Sequence, residues 1–368
     1  MRIGIDYRPV TAAPYSGIAR QVLALEQALL ASGRGELVRF SMAPLQHPHR
    51  ATACCPARDV PAGGLHRPQA RLAFEIGFLP KALAGQGIDL YIATANSGLP
   101  WPRPRGLKRQ VQLLHDLFQL TLAGRHASRL HGLVYGTMDR ALIGHALRAA
   151  DAVWTPSQYS AGQAAQLFPR SAGKLSVLPN AVAPPAPPDA PRDPALPDRY
   201  WLVVGTREPR KNIPFLLEHW QALRAGGLPL PDLVLVGDPG DVPAPMAGLP
   251  GLHWRGGLDD AGLSRLYHDA ERLWHPATAE GFGLPVIEAL ACGTPVAVAT
   301  GSALDEITPH QALRFDPRDA GALRDALRAA ATGRRAEEGG PVLQAAAARY
   351  APAHYRRRVL QLLDEVLR

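Results

Sequence analysis

Two glutamates, Glu280 and Glu288, frame the string 280-EGFGLPVIEALACGTPV-296. Gly281 and Gly283 let the chain turn tightly and bring backbone N–H groups close to a ligand, and Pro285 suits the first turn of a helix that follows. A helix amino terminus with bare amides attracts anions such as phosphate. Glu288, about one turn into that helix, is placed to accept two hydrogen bonds from a vicinal diol such as a ribose. Glu280, ahead of the turn, points toward whatever is held there. The plainer alternative is an ordinary strand-to-helix turn, with Glu288 favoured by the helix dipole. The aromatic residue between the two glycines and the closing CGTPVAV favour a binding site instead.

A second anion-binding candidate is 203-VVGTREPRKNI-213, where Arg207, Arg210 and Lys211 crowd the end of an apolar run directly after Gly205. Ligands of α/β sheets bind at the carboxyl ends of the strands, which separates this cluster from an ordinary solvated basic loop. In the first half, 111-VQLLHDLFQL-120 puts His115 and Asp116 at a strand end, where an imidazole can position a hydroxyl or stabilise developing charge. A lone histidine is more often structural, and the strand-end location is what argues otherwise. The turn 14-PYSGIARQ-21, with Gly17 ahead of a helix, is a weaker phosphate-facing candidate.

These positions need strands that end where the chemistry begins. Near-continuous apolar runs recur at 2–6, 37–42, 88–94, 110–117, 152–157 and 175–180, and again at 201–206, 232–238, 252–256, 273–277, 295–300 and 313–317, those of the second half carrying Gly, Asp, Pro or Thr at or near their ends. That is the pattern of strands buried on both faces of a parallel sheet. Helical stretches such as 19–31, 128–149, 261–271 and 285–292 alternate with them. The alternation predicts an α/β fold of two doubly wound, Rossmann-like domains facing each other across a cleft. Between the halves runs 183-APPAPPDAPRDPALP-197, too rich in proline for helix or interior strand, so the domains are expected at 1–182 and 183–351. The stretch 352–368 has the apolar spacing of an amphipathic helix, expected to complete the first domain.

With 368 residues, 46 % hydrophobic and 20 % charged, the composition is globular and larger than one compact domain usually holds. Cys54, Cys55 and Cys292 are too few for a disulfide framework, and the first two are chain neighbours, so a reducing compartment fits. No signal-peptide segment or membrane-spanning run is read from the sequence, which makes the expected location cytoplasmic. Residues 1–180 carry a net charge of +11 and the remainder −3, so the first half is expected to face something anionic. Arg103, Arg105, Lys108 and Arg109 cluster after Trp101, and Arg129, Arg140 and Arg148 lie on the helix at 128–149. Reversible association with an anionic membrane surface is the corresponding expectation, against the alternative of ordinary solvated arginines. Of the 40 basic residues 36 are arginine, a bias of composition, and no basic helix with interleaved aromatics or zinc-finger spacing appears, so nucleic acid is not an expected partner.

Taken together, these motifs resemble the large retaining glycosyltransferase family four, whose two-domain fold is called GT-B. EGFGLPVIEALACGTPV is similar to its E-x7-E signature, GTREPRKN to its GT-x-EPRKN element, LLHDL to its HD strand, SGIARQ to its first loop, and AVWTPSQYS and LPNAV to later first-domain motifs. The resemblance implies that Lys211 and a neighbouring arginine, Arg207 or Arg210, hold the diphosphate of a nucleotide-sugar donor. It further implies that Glu288 holds the ribose, that Glu280 and the amides of Phe282, Gly283 and Leu284 hold the transferred sugar, and that His115 meets one of its hydroxyls. Retention of anomeric configuration, with the leaving phosphate as base, is also implied. The EPRKN subgroup is similar to bacterial polysaccharide and O-antigen mannosyltransferases, which implies a hexose such as mannose from GDP-mannose and a saccharide or lipid-linked saccharide acceptor. No D-x-D pair occurs in the sequence, so no metal and no separate cofactor are expected. The sequence departs from the family at Thr206, where many members carry a phosphate-binding arginine, and at Ser16, Ala181 and Ala277.

Two other readings share this outline: a nucleotide-sugar 2-epimerase and a non-catalytic two-lobed sugar-binding protein. A dinucleotide-dependent dehydrogenase is disfavoured, because Val286 stands where G-x-G-x-x-G needs its last small residue.

Overall fold

The computed structural model describes residues 1–42, 52–54, 68–122, 129–187, 192–333 and 340–368. Cys55, residue 128 and part of the proline-rich stretch, 188–191, lie outside the described residues. The chain divides into two compact units, one of Met1–Ala181 with Pro352–Arg368 and the other of Val182–Ala351. The break falls one residue before the expected 182/183.

The first unit holds a seven-stranded sheet made of β1 (Arg2–Asp6), β2 (Glu36–Ser41), β3 (Thr52–Cys54), β4 (Leu90–Ala93), β5 (Arg109–Leu113), β6 (Ala152–Thr155) and β7 (Leu175–Val177). The second holds a six-stranded sheet of β8 (Tyr200–Val204), β9 (Asp232–Val236), β10 (Leu252–Arg255), β11 (Arg272–His275), β12 (Val296–Ala299) and β13 (Leu313–Phe315). Every pairing between neighbouring strands is parallel. The strand orders are β3-β2-β1-β4-β5-β6-β7 and β10-β9-β8-β11-β12-β13. In each sheet the chain first moves outward in one direction and then returns to the other side of its starting strand. The strand order therefore reverses between β1 and β4 and between β8 and β11, the places where open α/β sheets bind ligands.

The apolar runs became strands because both faces of each sheet are covered. In β8, Tyr200 and Leu202 enter one core cluster and Trp201 and Val203 the other, the two-residue period of a strand buried on both sides. Gly4 in β1 is glycine for lack of room: a Cβ there would lie 2.8 Å from the Phe40 ring. The helix Gly17–Ser32 starts at Ser16, whose Oγ accepts from the Ala19 amide at 3.1 Å, so the first-loop departure from the family acts as an N-cap. Gly33, with φ 64°, ends the same helix in the left-handed conformation. The last helix, Pro352–Leu367, packs Val359, Leu362, Leu363 and Val366 against Ile3, Ile5, Val22 and Leu25 of the first unit. It is also tied there by Arg109 Nε to the Val366 carbonyl at 2.7 Å and Arg358 Nε to the Val177 carbonyl at 3.0 Å.

Asp6, which in sequence only interrupts an apolar run, is fully buried and gripped by Arg8 through Nε at 3.0 Å and Nη2 at 2.8 Å. Arg8 also donates to the Ser97 carbonyl at 3.1 Å, lies 3.5 Å from Glu75 Oε1 and stacks over Phe74. Glu75 sits in the π-helical turn Ala73–Phe78, accepts from Ser97 Oγ at 3.0 Å and has its pKa raised by burial against the opposing pull of Arg8. Arg8→Met leaves both carboxyls buried without their cation, and the expected loss of unfolding free energy is about 3–5 kcal/mol. Arg8→Lys should recover only part of it, since one ammonium cannot fork Asp6. Urea unfolding checks this, and an unchanged midpoint in Arg8→Met contradicts it.

Candidate functional site

The loops that follow β8 and β11, the two strands flanking the reversal in the second sheet, build one cluster of charge. After β8 the chain turns through Gly205, at φ 80°, into the single 3-10 turn Pro209–Lys211 and leaves through Asn212, a non-glycine residue at φ 58°. Asn212 holds that left-handed position while its Nδ2 donates to the Pro317 carbonyl at 3.0 Å, which pins the loop to the end of β13. The two loops are joined where the Thr278 amide donates to the Arg210 carbonyl at 2.8 Å.

At the centre is Glu280, buried. A single carboxylate oxygen, Oε1, takes Lys211 Nζ, Arg210 Nη1 at 2.9 Å and His275 Nε2 at 3.0 Å. Glu280 Oε2 accepts from no described residue. Burial alone would raise the Glu280 pKa, but the Lys211 charge, the His275 hydrogen bond and the Arg210 charge together hold it well below the usual carboxylate range. Burial and the Lys211 charge lower the His275 value, against Glu280, so His275 is neutral at pH ~7 and its Nε2 donates the proton. His275 ends β11 and reads in sequence only as part of an apolar strand.

The turn that follows is set by Gly283. At φ 104° it carries a conformation that L side chains rarely adopt, and a Cβ would come within 2.6 Å of Leu304 Cδ2. Helix Leu284–Ala291 begins there with Pro285 in its first turn. The amides of Phe282, Gly283 and Leu284 donate to no described residue, so the helix start offers three bare N–H groups. Phe282 itself is buried edge-on against Tyr350, which leaves its backbone as the part available to a ligand. Glu288 is buried on the helix, and its Oε2 accepts from Tyr267 Oη at 2.7 Å. Tyr267 is a second partner that sequence reasoning missed, because it lies on another helix, Asp260–Asp269.

Lys211, Arg210 and Glu280 are thus brought into contact, with Gly281 to Leu284 and Glu288 on the segment that continues from Glu280. Arg210 is already committed to Glu208 at 2.7 Å, to the Ala279 carbonyl at 3.0 Å and to Glu280. Arg207 is exposed and has no hydrogen bond or ion pair among the described residues. Thr206 is buried and donates to Asp241 Oδ2 at 2.5 Å, fixing the next loop of the sheet.

His115 and Gly17 belong to the first unit. Gly17 opens helix Gly17–Ser32. His115, just beyond β5, is buried and places Nε2 2.7 Å from the Thr94 carbonyl. A carbonyl only accepts, so the proton is on Nε2 and Nδ1 is left as an acceptor. Burial lowers the His115 pKa, against the pull of the Thr94 carbonyl and Asp116. The His115 amide donates to Asn96 Oδ1 at 2.8 Å, and His115 lines a crevice with Gln21, Trp154, Thr155 and Tyr355. Gln21 also bonds both backbone groups of Ala181, at 2.9 and 3.0 Å.

Residues 198–332 match the family model for glycosyl transferases group 1. That segment of the second unit is a glycosyl transferases group 1 domain. It contains the cluster around Glu280, the bare helix start and Glu288. In sequence the chain is similar to an Escherichia coli protein, O-antigen chain mannosyltransferase B, with 30 % identity over 236 residues, 60 % of either chain. In structure it is similar to sucrose-phosphate synthase from Thermosynechococcus elongatus, with a TM-score of 0.72 and 21 % identity over 100 % of this chain and 99 % of that one. It is also similar to the Anabaena protein HepE in complex with UDP and glucose, with a TM-score of 0.67 and 16 % identity over 99 % and 100 % of the two chains. The fold shared with these structures is GT-B.

The linkage sign for the cluster is fixed. Glu280 binds its proton less readily folded than unfolded, so its contribution to stability is present above about pH 4.5, the ordinary range, and fades as pH falls through the lower folded value. The stability gap between the wild type and Glu280→Gln should therefore be widest at neutral pH and narrow below about pH 4.5. Urea unfolding of both proteins along a pH series measures it; a gap that stays constant contradicts the ion pairing.

Proposed function

We propose that this protein is a retaining, metal-independent hexosyltransferase that moves a sugar, mannose or a deoxy relative, from a GDP-sugar to a growing, lipid-linked bacterial polysaccharide. The observation that carries the reading is the site at the β8/β11 reversal: Lys211 and arginine beside three bare amides and two buried carboxylates, within a glycosyl transferases group 1 domain. The mannosyltransferase name of the Escherichia coli relative supports the sugar, and the UDP and glucose bound by the Anabaena protein support a nucleotide-sugar donor.

In this reading the bond between the anomeric carbon and the diphosphate oxygen breaks, the electron pair stays on the diphosphate, and the sugar becomes oxocarbenium-like. Lys211, with Arg207 or Arg210, and the amides of Phe282, Gly283 and Leu284 stabilise the departing charge. Glu288, oriented by Tyr267, takes the ribose hydroxyls, and Glu280 takes those of the sugar through the oxygen left open. His115 Nδ1 accepts from a sugar hydroxyl. The acceptor hydroxyl oxygen bonds to the anomeric carbon on the face the diphosphate leaves while the departing phosphate oxygen takes its proton, so no protein nucleophile is required. The absence of a D-x-D pair from the sequence favours charge stabilisation by side chains and amides.

Attachment to an anionic membrane surface belongs to the same proposal. No helix among the described residues is long and apolar enough to cross a membrane. Arg103 and Lys108 are paired with Asp151 and Asp89, so within 103–109 the attraction rests on Arg105 and Arg109, the latter hydrogen-bonded to the neutral Val366 carbonyl.

A thermal-shift panel of nucleotide sugars tests the donor. A bound donor at about 100 times its dissociation constant should stabilise by about 2.7 kcal/mol, with GDP-mannose ahead of the UDP-sugars. Transfer to a saccharide acceptor should survive EDTA, and an epimer formed without acceptor would point to the 2-epimerase instead. Lys211→Ala should lower kcat more than it raises KM, because the leaving group gains charge as the bond breaks. A raised KM with unchanged kcat would move the leaving-group role to an arginine.

A further inference from the structure

The crowding on Glu280 Oε1 sets a difficulty for the proposed donor site, on which this inference rests. Lys211 is assigned to a diphosphate together with Arg207 or Arg210, and both Lys211 and Arg210 are spent on Glu280. When they turn toward phosphate oxygens, a carboxylate buried to within 6 % exposure loses its cationic partners. An unpaired buried carboxylate is costly and escapes the cost by taking up a proton. The neutral form would then present a different hydrogen-bonding pattern to the sugar.

The third donor is built differently from the other two. Lys211 and Arg210 are long side chains on the single 3-10 turn Pro209–Lys211, each reaching Glu280 through several rotatable bonds. His275 is the last residue of β11, a strand hydrogen-bonded in register to β12, with His275 opposite Val298. Its ring is 2 % exposed, so it has no room to leave. We propose that His275 is a positioning residue that keeps Glu280 ionised and in place while Lys211 and Arg210 turn to a diphosphate. A neutral imidazole suits this role, because its single Nε2 proton serves Glu280 without competing for the phosphates as a third cation would. Its Nε2 proton is also the one Glu280 bond that anion binding does not draw away.

Inorganic pyrophosphate is the probe, and proton exchange on binding is the readout, measured by calorimetry at about pH 5.5 in buffers of different ionisation enthalpy. The wild type should take up no proton at Glu280. His275→Phe, which keeps the ring and removes the donor, should take up to about one additional proton per pyrophosphate. His275→Gln, whose amide nitrogen reaches about as far as Nε2, should return to wild-type behaviour. Should His275→Phe not fold, His275→Asn supplies the contrast, since its shorter amide falls short of Glu280. Equal proton uptake in the wild type and His275→Phe overturns the proposal, as does His275→Gln behaving like His275→Phe. Lys211→Met separates the two layers of the argument. Pyrophosphate binding that does not weaken in that variant removes the diphosphate site and the proposal with it, whereas weakened binding without His275-dependent proton uptake removes the proposal alone.

Discussion

A carboxylate buried in a protein must be paired, and the second unit is arranged around that requirement at Glu280. Two of its donors come from the loop after β8 and the third from the end of β11, on either side of the strand reversal, and each must arrive within about 3 Å to count. The left-handed turn at Asn212, the bond from the Thr278 amide to the Arg210 carbonyl and the end of β11 at His275 are what bring them there. With Glu280 fixed, the next residues have one way to continue. The chain must reverse into a helix within three residues, and Gly283 supplies a conformation that no side chain would tolerate beside Leu304. The bare amides and Glu288 follow from that helix start, so the pairing of one buried charge determines the layout of the rest.

The parts of this arrangement that follow from local sequence were legible in it. Apolar runs with breakers at their ends gave strands near their observed positions, and the string 280–296 marked the turn, the helix and both glutamates. Partners supplied from a distance were not legible. His275 ends the run LWHPA and looks like core; only the loop contacts show that its ring faces Glu280. Tyr267 reaches Glu288 from another helix, and nothing in its own periodicity separates it from a buried aromatic. The choice between Arg207 and Arg210 stayed open in sequence because it turns on what each guanidinium already holds. The basic cluster at 103–109 was counted as four charges, and its acidic partners, Asp89 and Asp151, stand outside any local window. Short strand β3 and the π-helical turn Ala73–Phe78 left no periodic signal long enough to read.

The two units share a topology and use its reversal point in opposite ways. In the first sheet the position between β1 and β4 is filled from within: Arg8 is clamped by Asp6, Glu75 and the Ser97 carbonyl, all buried, and Gly98 has no Cβ because one there would collide with Arg8 Nη2. A cation so enclosed is paired within the fold, and its effect is to fix the loop 94–98. That loop in turn holds His115, through the Thr94 carbonyl and Asn96 Oδ1, so the chemistry available to the first unit is displaced to the end of β5. In the second sheet the corresponding ions are left on long side chains with one carboxylate oxygen uncommitted, and the site stays where the topology puts it. The same two-way wound sheet thus yields a closed scaffold in one unit and an open charge cluster in the other, and the difference lies in whether the arginine at the reversal is ringed by two carboxylates or shares one with a lysine and a neutral histidine.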